Sequence, residues 1–153
     1  MKQFLIFAIF LTIGVQSYAQ NHNDAVQWSY EYERSGENEY LLRVKATIKE
    51  GWHLYARDFD QGGPIPLEIT FKENEGVQFL GETKSLHQPV SEVDEIFGIT
   101  VKYYDKDVVF EQKIKLKTNQ AVQINFSAEG QVCENKSGMC ILTDSEYVFD
   151  LNK

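Results

Sequence analysis

Val122-Gln-Ile-Asn-Phe-Ser-Ala-Glu-Gly-Gln-Val-Cys-Glu-Asn-Lys-Ser-Gly-Met-Cys-Ile-Leu142 carries the two features from which the rest of the chain is read. Val122, Ile124 and Phe126 alternate with polar residues, the period of two that marks a strand with one buried face. The alternation then gives way to a polar excursion over residues 134–139, bracketed by the only two cysteines, Cys133 and Cys140. The strand is expected to end near Glu129, and the cysteines can close one short loop.

The same alternation recurs outward in both directions. Val26, Trp28, Tyr30 and Tyr32 alternate, as do Leu42, Val44, Ala46 and Ile48; Leu67, Ile69 and Phe71 follow, then Val77 and Phe79. Beyond them come Ile99, Val101 and Tyr103, then Val108, Phe110, Ile114 and Leu116, and after the quoted stretch Tyr147, Phe149 and Leu151. Helical periodicity is nearly absent. Turn residues separate the runs at Ser35-Gly36, Glu50-Gly51, Gly62-Gly63-Pro64, Asn74-Glu75-Gly76 and Tyr104-Asp105-Lys106-Asp107. Roughly eight or nine short strands at this spacing predict an all-β, immunoglobulin-like antiparallel sandwich. Gly62-Gly63-Pro64-Ile65-Pro66 is too short for a domain linker and is expected to turn the chain between the sheets, with its prolines at loop or edge positions. Residues 20–153 are therefore read as one domain.

Residues 1–19 have a basic start at Lys2, an apolar run over 4–15 and small residues at Ser17 and Ala19, the pattern of a cleaved signal peptide. The apolar run is about a dozen residues, short of the roughly 20 that span a bilayer as a helix, so no membrane insertion is expected. Export to the periplasm, or beyond it, permits disulfides. The leader holds one lysine and no carboxylate, so its loss leaves 134 residues and takes the net charge from −8 to −9. That charge argues against nucleic acid or an anionic membrane as a partner.

A lone pair of cysteines either staples a fold or carries electrons. Closing a loop of about eight residues is worth roughly 2.5 kcal/mol in the chain-entropy treatment, and a domain of this length buries an ordinary core without help. With six residues between the cysteines and neither C-x2-C nor H-x3-H, structural zinc is not expected. A thioredoxin-type C-x-x-C, a nucleophile elbow and a glycine-rich phosphate loop are likewise missing from the sequence, so no metal or cofactor is expected.

Four stretches in order resemble the amino-terminal periplasmic domain of the bacterial thiol:disulfide interchange protein DsbD, the disulfide bond corrector family. They are Gly51-Trp-His-Leu-Tyr55, Asp94-Glu-Ile-Phe-Gly98, Tyr104-Asp-Lys-Asp-Val-Val-Phe110 and the glycine-led cysteine stretch from Gly130. The spacing of six between the cysteines and the Ile141-Leu142 that follows differ from the family's usual five and Pro-Pro. The resemblance implies an immunoglobulin-like fold that exchanges disulfides with thioredoxin-like periplasmic proteins and is reduced by a separate membrane or thiol donor. Cys140 would be the exposed sulfur that forms mixed disulfides, and Cys133 the resolving one.

By the same resemblance, Ile96 and Phe97 form an apolar lid over the sulfurs with Gly98 as its hinge, and Asp94 and Glu95 bring negative charge that disfavours thiolate. Tyr55 and His53 alternate on one strand face after Trp52 and border the cysteines, the tyrosine hydroxyl being able to donate to sulfur. Two other readings stay open on the sequence: a non-catalytic binding module whose disulfide is purely structural, and a relative of the redox family turned to assembly.

Overall fold

A computed structural model describes residues 25–95 and 97–151; the expected leader and Ile96 lie outside the described residues. The alternating runs become ten strands: β1 (Val26–Arg34), β2 (Glu39–Ile48), β3 (Trp52–Tyr55), β4 (Glu68–Phe71), β5 (Val77–Ser85), β6 (Val90–Asp94), β7 (Ile99–Tyr104), β8 (Val108–Leu116), β9 (Val122–Glu134) and β10 (Cys140–Leu151). They pair antiparallel into two sheets, ordered β1-β2-β8-β5 and β10-β9-β3-β7-β6, with β4 added on β9. This is the expected all-β, immunoglobulin-like sandwich.

Register aligns the apolar faces. Tyr40, Val44 and Ala46 of β2 sit opposite Ile114, Phe110 and Val108 of β8, and all six are buried. On β9 the even positions from Val122 to Val132 point inward against them, so the two sheets meet through the residues that the period of two singles out. Gln112 breaks the pattern: it is buried on the core side of β8. There β5 bulges between Leu80 and Lys84, and the Gln112 amide fills the gap by donating to the carbonyls of Gly81 and Lys113 and accepting from the Thr83 hydroxyl at 2.9 Å. A buried amide is tolerated because its polar atoms are matched.

Three features differ from the sequence expectation. β9 continues five residues past Glu129, through Cys133 to Glu134, because inward Gly130 and Val132 keep the alternation going where Gly130 has no side chain to show it. The 56–67 loop does not switch sheets. Both β3 and β4 pair with the same edge of β9, β4 along residues 126–129 and β3 along 132–134. A tenth strand, β6, has no buried residue in its five and so leaves no hydrophobic signal; β7 holds it by backbone pairing from Val90↔Tyr103 to Asp94↔Ile99 and by the Tyr103–Glu92 hydrogen bond.

Away from the cysteines the core is aromatic. Phe126 lies 4.9 Å from Phe149, 5.3 Å from Tyr147, 5.5 Å from Tyr30 and 5.6 Å from Phe71, between ring centroids. The Trp28 indole donates across the sandwich to the buried Thr143 hydroxyl at 3.1 Å, tying β1 to β10. Phe126→Ala is expected to cost about 3–5 kcal/mol in urea unfolding, whereas Val148→Ala, on the outer face of β10, should stay within about 0.5 kcal/mol; equal losses would mean that this cluster does not carry the core.

Candidate functional site

Cys133 and Cys140 stand directly opposite each other where β9 and β10 meet their connecting turn. They form a disulfide with Cα atoms 4.1 Å apart, and the described residues include no free cysteine. The backbone explains the closeness. Glu134 N–H donates to the Met139 carbonyl, which makes that rung hydrogen-bonded and the next one, Cys133 with Cys140, a non-hydrogen-bonded pair, the type in which Cα atoms approach to about 4.5 Å. The turn is held without the bridge: Gly138 N–H donates to the Glu134 carbonyl at 2.9 Å, the Ser137 hydroxyl to the Glu134 carboxylate, and Met139 N–H to the Ser137 oxygen at 3.2 Å. Gly138 takes the left-handed φ of +69° that closing the turn requires.

The two sulfurs live in different surroundings. Cys140 is exposed, whereas Cys133 is 2% exposed in a small apolar cluster with Tyr55 and Val101, flanked by Phe59, Ile99 and Tyr103. That cluster lies on the outer face of the sheet, apart from the main core. The side chain that reaches the Cys133 sulfur is Gln131, through its amide nitrogen at 3.6 Å; Tyr55 packs beside Cys133 in the same cluster. The Gly138 carbonyl lies 3.5 Å from the Cys140 sulfur, so in the reduced protein that thiol has an acceptor in place.

His53 pairs in register with Cys133 on the neighbouring strand, which is why it and Tyr55 border the cysteines. Its ring lies 5.0 Å from that of Tyr55 and 4.8 Å from that of Tyr103, and its Nδ1 is 2.6 Å from the Asn135 side-chain oxygen. Asn135 N–H also donates to the Gly51 carbonyl at 2.8 Å. Both bonds pin the cysteine turn to the start of β3. Asn135, Gln131, Phe59, Ile99 and Tyr103 all belong to this neighbourhood and none was singled out as a site residue from sequence. For Ile99 and Tyr103 the signal was present in their alternation with Val101; Phe59 and Asn135 sit in loops, where periodicity says nothing.

Asp94, Glu95, Phe97 and Gly98 occupy the tip of the β6–β7 hairpin. Asp94 ends β6 and organises the turn: its carboxylate accepts from Phe97 N–H at 3.1 Å and its carbonyl from Gly98 N–H at 2.8 Å. Gly98 adopts a φ of +67°. Phe97 is half exposed, and its ring, with the Ile99 side chain, lies against Gly63. A Cβ on Gly63 would stand 2.6 Å from Ile99 Cδ1 and 3.6 Å from Phe97 Cγ, so a side chain there would displace the end of the Ile99 side chain and meet the Phe97 ring at ordinary contact distance. The hairpin also brings charge to the aromatic cluster. Burial, and then the Asp94 and Glu92 carboxylates, push the Tyr55 hydroxyl above its ordinary pKa; burial, and then a 3.1 Å hydrogen bond to Glu92, do the same for Tyr103.

The sequence matches, over residues 21–152, the family described as thiol:disulfide interchange protein DsbD, N-terminal. Among solved structures, the chain is similar to the N-terminal periplasmic domain of ScsB from Proteus mirabilis, with 25% identity and a TM-score of 0.60. That alignment covers 86% of this chain and 48% of the other, so the chain spans about half of that relative's length. It is similar in fold to the N-terminal domain of Neisseria meningitidis DsbD in its reduced form, with 14% identity, a TM-score of 0.54, and coverage of 86% of this chain and 89% of the other. No curated protein matches the sequence significantly.

Because hydrogen bonds and the β9–β10 ladder also hold the turn, the fold is expected to survive loss of the bridge. The double variant Cys133→Ala with Cys140→Ser should unfold cooperatively in urea with a loss of about 2–3 kcal/mol; a double variant that is unfolded at room temperature would make the disulfide a staple.

Proposed function

Since the chain belongs to the family of amino-terminal domains of the thiol:disulfide interchange protein DsbD, we propose that it passes reducing equivalents to thioredoxin-like proteins by reversible disulfide exchange at Cys133 and Cys140. The observation that carries this reading is the asymmetry of the pair, one sulfur open to solvent and the other buried directly opposite it on the same rung. A partner can approach only the exposed sulfur, while the buried one stays within reach of it.

In the reduced domain, the Cys140 thiolate attacks one sulfur of the partner's disulfide. The partner's S–S bond breaks, its other sulfur leaves as a thiolate and takes up a proton, and Cys140 is joined to the partner in a mixed disulfide. Cys133 then loses its proton and attacks the Cys140 sulfur, which re-forms the internal bridge and releases the partner's second thiolate. Two electrons and two protons pass to the partner. The second step is fast because the ladder holds the two Cα atoms 4.1 Å apart, so the resolving sulfur needs no backbone search. The Gly138 carbonyl beside Cys140 favours the thiol over the thiolate in the resting reduced domain. A separate membrane or thiol donor returns the electrons, and the exchange itself uses no cofactor. Residues 20–153 act as one exported domain in the periplasm once residues 1–19 are removed.

The 95–98 turn serves as a lid in this reading. Phe97 shields the approach to the sulfurs from its seat on Gly63. Asp94 and Glu95 add negative charge that disfavours thiolate, consistent with the effect of Asp94 on Tyr55, which packs beside Cys133.

Trapping tests the roles of the two sulfurs. Cys133→Ser should accumulate a mixed disulfide with a thioredoxin-like protein through Cys140, and Cys140→Ser should accumulate far less. Equal trapping would overturn the assignment, and no trapping by either variant would leave the bridge a structural one. Alkylation of the reduced pair by a small neutral reagent tests the lid: Phe97→Ala should raise the rate without moving the midpoint of its pH profile, whereas Glu95→Gln should move the midpoint to lower pH. A profile that both variants leave untouched would remove the turn from the site.

A further inference from the structure

The outer face of β10 runs from the exposed sulfur through Leu142 to Asp144, the residues between them turning inward, where Ile141 packs on the core and Thr143 is buried. Leu142 is 62% exposed, and Met139, just before Cys140, is 53% exposed. Opposite Leu142 is Gln131, whose side-chain oxygen accepts from the backbone of Ile65 at 2.9 Å, which brings a third exposed apolar side chain to the same place. The next outward rung holds three carboxylates in a row on adjacent strands: Asp144 opposite Glu129, and Glu129 opposite Glu68. All three are exposed, and none has an ion-pair or hydrogen-bond partner among the described residues. Like charges directly opposite one another destabilise a sheet, so this row works against the fold that contains it. One rung further, Glu146 is paired with Lys72. On the other flank of the disulfide stand Glu92 and Asp94, and the one cation of the cysteine turn, Lys136, lies beyond the sulfurs from the row.

We propose that this strip is the docking surface for the exchange partner, and that the partner it fits carries an apolar residue beside its reactive cysteine and lysines or arginines about four residues further along. The inference rests on the exchange reading and adds to it the chemistry by which a partner is chosen. The apolar step of Met139, Leu142 and Ile65 excludes water next to the sulfur under attack. The unpaired row lies four residues from Cys140, roughly 13 Å along a strand, which sets the spacing of the partner's cations. A row of carboxylates without counter-charges is relieved by a cationic partner and made worse by an acidic one, so it selects as well as attracts.

Three peptides test the proposal, each with one cysteine activated as its 2-pyridyl disulfide, an apolar residue beside it, and lysines, serines or glutamates four to five residues away. The reduced domain's Cys140 displaces pyridine-2-thione, whose absorbance gives the rate, and Cys133 then releases the peptide thiol. At low ionic strength the lysine peptide should react about tenfold faster than the serine peptide and the glutamate peptide more slowly. The three rates should converge near 1 M salt, where screening acts within about 3 Å. In the variant Glu68→Gln, Glu129→Gln, Asp144→Asn the ratio of lysine to serine rates should fall close to one, with a melting temperature no lower than that of the parent. If that variant does not fold, Glu129→Gln alone, at the centre of the row, should lower the ratio by severalfold. Equal rates for the three peptides at low salt, or a ratio that survives the substitutions, would overturn the docking surface and leave exchange standing. A parent domain that reacts with none of the peptides would overturn the exchange reading and the docking surface with it.

Discussion

The register of β9 is the constraint on which the rest depends. Its thirteen residues pair with β10 along one edge and with β4 and then β3 along the other, so it is the central strand that joins the aromatic core to the disulfide and its β3 neighbours. Pairing of Val122 with Leu151 at one end obliges Cys133 to face Cys140 at the other, eleven residues later. A slip of one residue would turn every side chain to the opposite face, exposing Phe126 and burying its polar neighbours. The energy that prevents the slip is the burial of Val122, Ile124, Phe126 and Val132. The core therefore aligns the sulfurs from a distance, and the redox pair contributes little to its own placement.

This arrangement separates two jobs on the two faces of one sheet. Inward residues of β9 and β10 meet the other sheet through the packing of Phe126, Phe149 and Ile124, and the Trp28–Thr143 hydrogen bond closes that edge. Outward residues build a second, shallower layer in which Tyr55, Val101 and Cys133 bury one another beneath Phe59, Ile99 and Tyr103. Chemistry that requires exposure and chemistry that requires burial thus share one rung, on adjacent strands. The β6–β7 hairpin reaches this layer with its tip, and because β6 has no buried residue, the tip is attached to the core only through β7.

Strands and core were legible in the sequence wherever one face is buried and the other wet. Leu42 through Ile48 and Val108 through Leu116 show the period of two without interruption, apart from Gln112, whose amide takes a core position to complete the β5 bulge. Where both faces are wet, as in β6, nothing in the residues distinguishes a strand from a loop. Gly130 hid the last part of β9 for the opposite reason: it is buried, yet a glycine carries no hydrophobic signal, and the close approach of Leu67 explains why a side chain is missing there. The cysteines stand out as the only pair in the chain, whereas their separate roles and the Asp94 to Gly98 segment are legible only through family resemblance, since the hairpin and the cysteine turn are far apart in sequence. For the same reason the partnership of His53 with Asn135 and of Gln131 with the Cys133 sulfur could not be read along the chain; each depends on cross-strand register.

Gly63 shows how far that dependence extends. Its missing side chain is the space that the end of Ile99 occupies, with the Phe97 ring alongside, so a residue in the 56–67 loop meets a turn more than thirty positions downstream. A methyl group at position 63 would make the Ile99 Cδ1 methyl turn aside while touching the Phe97 ring at ordinary contact distance. The loop is in this sense the anvil for the proposed lid: variation at residue 63 would be felt at Ile99, which flanks the buried cysteine, while touching neither cysteine itself. Natural diversity in such domains should then show the two segments changing in concert, with bulk gained in one matched by bulk lost in the other.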